Sequence, residues 1–264
     1  MRFWFCFLLF ICAPPADGQD YQELPILEED REHWSFLPIV RPDLPDVQND
    51  AWSNNPIDMF ILAKLSKAHL GPMPAASHTA LVRRLYLDLT GLAPTYDEVI
   101  ADRHYEQLVD ELLNSPRFGE RQAQHWLDLA RFAETDGFEH DQLRPEAWRY
   151  RDWVIDAFNR NIPYDEFIRH QLAADELDES KDSVATMFCL SGPDMPDINS
   201  QNERSHSLLN EMTSTVGAVF MGLQVGCAQC HDHKFDPISQ ADFYRLRAMF
   251  QPAVHVIKLS LIHI

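Results

Sequence analysis

The sequence predicts a mostly α-helical fold: a single multi-helix globular domain behind an extended, proline-rich lead-in. Three observations carry this. Apolar residues recur at helical spacing in successive stretches, alternating strand patterns are scarce, and the stretches are separated by proline, glycine and capping residues. With 264 residues, 45% of them hydrophobic, the chain can bury one such core.

The elements follow in chain order. Residues 1–18 read as a signal peptide. Arg2 gives a positive start, Phe3 to Ala13 is an unbroken apolar run, and Ala16-Asp17-Gly18 offers the small residues a signal peptidase reads. The run falls short of the ~20 residues a membrane helix needs. The mature chain is therefore expected to have no membrane span and to be exported to the periplasm, cell surface or exterior. Residues 19–55 are rich in proline and acid and predict the extended lead-in, with Trp34 and Phe36 pinned on the main body.

The helical domain is expected over 56–252. Asn55-Pro56 opens a helix with Ile57, Phe60, Ile61 and Leu65 on one face, stopped at Gly71-Pro72. Ser77 caps the next, where Leu81, Leu85 and Leu89 align before Gly91. Thr95 and Glu98 have capping-box spacing. Tyr105, Leu108, Val109, Leu112 and Leu113 form a full apolar stripe that ends at Ser115-Pro116. The same period runs through 118–133, 146–160 and 164–175, with breaks at Gly137, Pro145 and Pro163. Ser205 to Val225 is compatible with a helix leading into a pair of cysteines. Residues 253–264 carry neither cap nor period and read as a fragment end.

Charge narrows the function classes. Against 22 basic residues stand 41 acidic ones, a formal net charge of −19. Nucleic-acid binding needs a basic patch and is disfavoured, as is docking on anionic lipid. Cleavage after Gly18 would leave Cys189, Cys227 and Cys230. Cys189 lies in an apolar stretch and is expected to be a core residue rather than a reactive thiol.

Cys227-Ala228-Gln229-Cys230-His231 matches C-x-x-C-H, the attachment sequence for c-type heme. On a helical turn residues three apart share a face, so both thiols can form thioethers to one heme and the next histidine can ligate iron. Heme c, covalently held by Cys227 and Cys230 with His231 on the metal, is the leading expectation, together with an electron-transfer role and a redox partner protein. His125 or one of Met212, Met221 and Met249 could supply the sixth ligand. Zinc or another divalent cation is the alternative, with His233 among its ligands, in a scaffold stabilised by a zinc knuckle. A disulfide between the cysteines is a third.

Another constellation surrounds Gly137: Glu134, Asp136, Glu139, His140 and Asp141. It could bind a hard cation or form an acid/base pair, and it could equally be an acidic loop on an acidic protein. If Asp136, Glu139, His231 and His233 met around a cation, the chain would read instead as a metal-dependent extracellular hydrolase, with polysaccharide as the candidate substrate. Asp236-Pro237-Ile238-Ser239 is expected to end one element and cap the next.

The runs NPIDMFILAKL, LVRRLYLDLTGLAPT, YEQLVDELLNSPRFGERQAQHWLDLARFAETDGFEHD, WRYRDWVIDAFNRNIPYDEFIRHQLAADEL and VGCAQCHDHKFDPISQADFYRL occur in this order over residues 56–251. Together they closely resemble the planctomycete-type secreted cytochrome domain, the second of two so named, a domain of unknown function. The resemblance implies a large exported protein in which another domain of unknown function follows this one. It also implies heme at Cys227, Cys230 and His231, while the DGFEHD and HDHKFDP segments match the family pattern without an assigned role.

Overall fold

The computed structural model describes residues 21–253 apart from 24, 48–49, 102, 139–140, 178–179 and 196–199. Residues 1–20 (which include the expected signal peptide), Glu139, His140 and the segment from 254 onward lie outside the described residues.

Caps decide where most helices begin. After a single turn in the lead-in, α1 (Glu28–Arg31), the body starts with α2 (Pro56–Lys67). Asn55 Oδ1 accepts the N–H groups of Ile57 and Asp58 at 2.9 and 3.1 Å, and Pro56 fills the position whose N–H would be orphaned. Ser77 caps α3 (His78–Thr90), and Gly91 ends it at φ 72°. The Thr95–Glu98 capping box opens α4 (Tyr96–Ile100), and α5 (Tyr105–Leu113) follows. Ser115 and Pro116 then begin α6 (Pro116–Leu129), two residues ahead of the expected start, because Ser115 Oγ accepts the Arg117 N–H. α7 (Ala147–Asn159) and α8 (Tyr164–Ala173) lie close to the expected bounds.

The second half departs further from expectation. A 3₁₀ segment, Ser180–Leu190, has no periodic signature in the sequence. α9 (Gln201–Val216) begins four residues before Ser205 because Ser200 Oγ accepts the Glu203 N–H at 3.2 Å. It does not run to Val225. It widens into a π turn, Gly217–Met221, that Gly222 closes at φ 67°, a left-handed conformation glycine adopts without strain. A short 3₁₀ turn, Val225–Gln229, and α10 (Gln240–Met249) complete the fold. Among the described residues there is no strand, only an isolated antiparallel bridge between Thr135 and Leu143. The body is a single helical assembly.

Its main core joins α6, α7, α8, the 180–190 segment and α9 through Trp126, Tyr150, Val154, Phe167, Phe188, Leu209 and Met212. Burying a side chain the size of Phe188 or Leu209 stabilises by about 1.5–3 kcal/mol. A buried relay orders this core. Trp126 Nε1–H donates to Tyr150 Oη at 3.1 Å, and Tyr150 donates to Gln171 Oε1 at 2.7 Å, linking α6, α7 and α8. Burial pushes the Tyr150 phenol well above its usual range. Cys189 belongs to the same core, as expected. Burial raises its thiol to about 12, and Sγ–H donates weakly to the Gln171 carbonyl. A second cluster joins Val82, Leu85 and Tyr86 of α3 to Leu108 and Leu112 of α5. A third, Val225, Ala228, Ile238 and Phe243, lies under the cysteines.

Two packing expectations fail. Ile57, Phe60 and Ile61 are exposed, and Leu62 is the buried residue of α2. Among the described residues that helix shares no extensive contact with the other helices, which leaves Ile57, Phe60 and Ile61 exposed. Trp34 is 80% exposed, and Phe36 is also exposed. Both rings pack locally on His33. Among the described residues no helix is long and apolar enough to cross a membrane.

Candidate functional site: the cysteine turn and the segment after it

In a 3₁₀ helix, residues three apart eclipse one another. Val225 and Ala228 accordingly share one side of the Val225–Gln229 turn and are buried in the third cluster. Cys227 and Cys230 share another side; both are free thiols and both are exposed. Small residues make the seat. A side chain on Gly226 would meet Ser214 Oγ of α9 at 2.7 Å, and one on Gly217 would meet Val225 Cγ2 at 2.3 Å. From α10, Gln240 Nε2–H and Tyr244 Oη–H both donate to the Gln229 carbonyl, at 3.1 and 3.2 Å. The backbone between the two cysteines is therefore tied down while their sulfurs face solvent.

His231 is exposed beside them, with Nδ1 2.6 Å from the carbonyl oxygen of Asp232. A carbonyl can only accept, so Nδ1 carries the hydrogen and the Nε2 lone pair is left for a metal. Asp232 is itself fixed: its Oδ1 accepts the Gln240 N–H and the Tyr21 hydroxyl, each at 2.7 Å. Those two bonds hold the carboxyl below its usual range.

His233 does different work. Its side chain is only 9% exposed, and Nδ1 accepts the N–H groups of Asp236 and Phe235 at 2.8 and 3.3 Å. Its own N–H donates to the Ile238 carbonyl at 2.8 Å. With Nδ1 engaged as an acceptor, the Asp236 carboxylate 3.4 Å away is a neighbour rather than an ion-pair partner. His233 thus closes the loop that presents Lys234 and the 83%-exposed Phe235. Ser239 ends that loop and caps α10 in a capping box with Asp242, as expected.

The other candidate residues lie apart from the cysteine turn. His125 is exposed on α6, which packs on α7, α3 and α5, whereas the turn packs on α9, α10 and the π segment. Met212 is buried in the main core; Met221 and Met249 are exposed at the ends of the π turn and of α10. Asp136 accepts from Arg144 Nε at 2.5 Å. Arg144 also donates to the carbonyls of Ser191 and Gly192, at 3.1 and 2.8 Å, so it locks the acidic loop onto the chain ahead of α9. Asp141 Oδ1 takes the Gly137 N–H. Among the described residues, no three His, Cys, Asp or Glu side chains come together as a metal site. A cavity of about 400 Å³ opens between α6, α7 and α8, lined by Phe118, Trp126, Phe158 and Phe167 among others, on the α6 side of the fold.

Sequence reasoning missed the residues that hold the site in place. The Ser239–Asp242 spacing announces the cap of α10, and nothing local announces that Tyr21 and Glu23 reach this helix.

The residues present fit a heme: two outward sulfurs on an anchored turn, beside an imidazole with its Nε2 lone pair free. Neither a curated protein nor a solved structure matches the chain. A family model does, over residues 56–255: the model named PSCyt2, described as a protein of unknown function (DUF1549). With most of its length matched, the chain belongs to that family.

Proposed function

We propose that this chain is an exported c-type heme domain that passes electrons to a partner protein. One observation carries the reading. Cys227, Cys230 and His231 are exposed together on a turn whose opposite side is buried, and among the described residues no three His, Cys, Asp or Glu side chains gather there as a metal site. A zinc knuckle would need its ligands to converge on one point. Thioether attachment needs two sulfurs on one side and a histidine beside them.

Cys227 and Cys230 would anchor the group, and His231 would offer Nε2 to the iron. Bound heme supplies reversible one-electron chemistry, which the polypeptide tunes through the axial histidine and through burial. The Asp232 carbonyl on Nδ1 makes the imidazole a better electron donor and fixes its tautomer. The hydrolase reading loses one of its residues, since Asp136 is bound to Arg144. Export, with residues 1–18 as the signal, belongs to the same proposal, because thioether formation takes place on exported chains.

The test is expression of the full chain in a host with c-type maturation machinery, followed by heme staining on a denaturing gel. The expected result is a stained band that Cys227→Ser/Cys230→Ser abolishes. His231→Ala should keep the stain and lose the low-spin spectrum. A colourless protein from a host that matures a control cytochrome overturns the proposal.

A further inference from the structure

We infer that the lead-in is part of the site, with Tyr21 and Glu23 acting as positioning residues that set the orientation of the His231 imidazole. Two anchors carry the inference, and both bridge more than two hundred positions of sequence. In the first, the Tyr21 hydroxyl donates to Asp232 Oδ1 at 2.7 Å and accepts the Ala241 N–H at 3.3 Å. The same Oδ1 takes the Gln240 N–H, so Asp232 is clamped between the lead-in and the first turn of α10. The carbonyl of this clamped residue is the group that holds His231 Nδ1.

In the second anchor, Glu23 meets Arg245 end-on: Nη1 to Oε1 at 2.5 Å and Nη2 to Oε2 at 2.8 Å. Arg245 Nη1 also reaches Asp242 Oδ1 at 2.9 Å. The Ser239 hydroxyl has one hydrogen and two carboxylate neighbours, Asp242 Oδ2 at 2.8 Å and Glu23 Oε1 at 3.1 Å. Two carboxylates so close would repel each other. Arg245 and the positive end of α10 make the arrangement favourable. A loose lead-in would have no reason to satisfy this particular geometry. By contrast, the large aromatics of the same segment, Trp34 and Phe36, are exposed and have their ring contacts with His33 of the segment itself.

The consequence is a second layer behind the metal ligand, of the kind that orients ligating histidines generally. It differs in coming from the far end of the chain. The positioning role rests on the heme reading only in what the imidazole finally ligates; the orientation itself exists in the heme-free protein.

The experiment therefore has a heme-free arm and a loaded arm, each on the full chain. In the first, nitrogen NMR of labelled histidine in the unloaded protein should show His231 as a single Nδ1–H tautomer. Tyr21→Phe, which removes one oxygen, should mix the tautomers, and exchange of the Ala241 amide should rise about tenfold through loss of its acceptor. Glu23→Gln should act in the same direction. Trp34→Ala, in the same segment, should change neither signal. In the loaded arm, Tyr21→Phe should shift the visible spectrum and midpoint potential while the heme stays covalently attached. Unchanged His231 tautomer and Ala241 exchange in Tyr21→Phe overturn the inference. A protein that never acquires heme, yet shows the tautomer change, overturns the proposed function and leaves the positioning role standing.

Discussion

The acidic loop around Gly137 and the C-x-x-C-H turn are equally conspicuous in the sequence, and the fold treats them in opposite ways. In the loop, functional groups satisfy one another. Asp136 binds Arg144, Asp141 binds the Gly137 N–H, and Glu134 pairs with Arg151 at 3.2 Å. Beneath it, Asp194 pairs with the buried Arg204, and Arg131 pairs with Glu211. At the cysteine turn the hydrogen bonds hold the Gln229 carbonyl, Asp232 and the loop around His233, while both cysteines stay exposed as free thiols. A dense cluster of charged residues is thus a poor guide to chemistry. A better one is a set of groups held firmly through atoms other than the ones that would react.

This contrast predicts a large difference in stability effects. Arg144→Met leaves Asp136 and the carbonyls of Ser191 and Gly192 without their donor in a site where both ionic side chains are less than one-fifth exposed. Denaturation by urea should show a loss of about 3 kcal/mol. Cys227→Ser/Cys230→Ser in the heme-free protein should change stability by no more than about 0.5 kcal/mol, since both thiols are exposed. Equal losses would erase the distinction between the two regions.

His233→Ala sharpens it within the motif itself. It removes the acceptor for two backbone N–H groups and should cost about 1–2 kcal/mol. His231→Ala should cost much less in the heme-free chain. If the two substitutions had equal effects on the unfolding midpoint, the division of labour between neighbouring histidines would be wrong.

The smallest effect is a difference in pH response. The hydrogen bond from Arg245 holds the Glu23 carboxyl below its usual 4.5. The lead-in contact is therefore at full strength above pH 4.5 and weakens as pH falls through the depressed value. Glu211 runs the other way. Burial raises its carboxyl despite Arg131, so its contribution is full below pH 4.5 and declines as pH rises through the folded value. Amide protection, taken relative to the intrinsic exchange rate at each pH from 6 to 3, should fall at Ala241 on acidification, without matching loss around Glu211. Parallel loosening of both regions would contradict the assigned causes.

Much of this was legible in the sequence, and the reason is locality. Asn55-Pro56, Ser77, the Thr95–Glu98 pair, Ser115-Pro116 and Gly91 each act within four residues, so their patterns mark helix ends directly. The C-x-x-C-H pattern is local as well. The illegible parts are those in which partners lie far apart. No pattern around Arg204 marks Asp194 as its partner, and none around Tyr21 points to Asp232. The stripe on α2 misled for a related reason: periodicity shows that a helix has an apolar face, and only the tertiary fold shows whether anything covers it.

The π turn at the end of α9 makes the backbone a setting device. An ordinary α-turn advances each residue by about 100° and 1.5 Å; the wider turn at Gly217–Met221 holds one residue more than that register allows. Removing a single residue there would let the end of α9 return to α geometry and would move Gly217, which packs closely on Val225, out of its place. Val225 and Ala228 would then lose the seat that positions the cysteine turn. The way this chain offers its cysteines thus depends on a count of residues that ends six positions before the first of them.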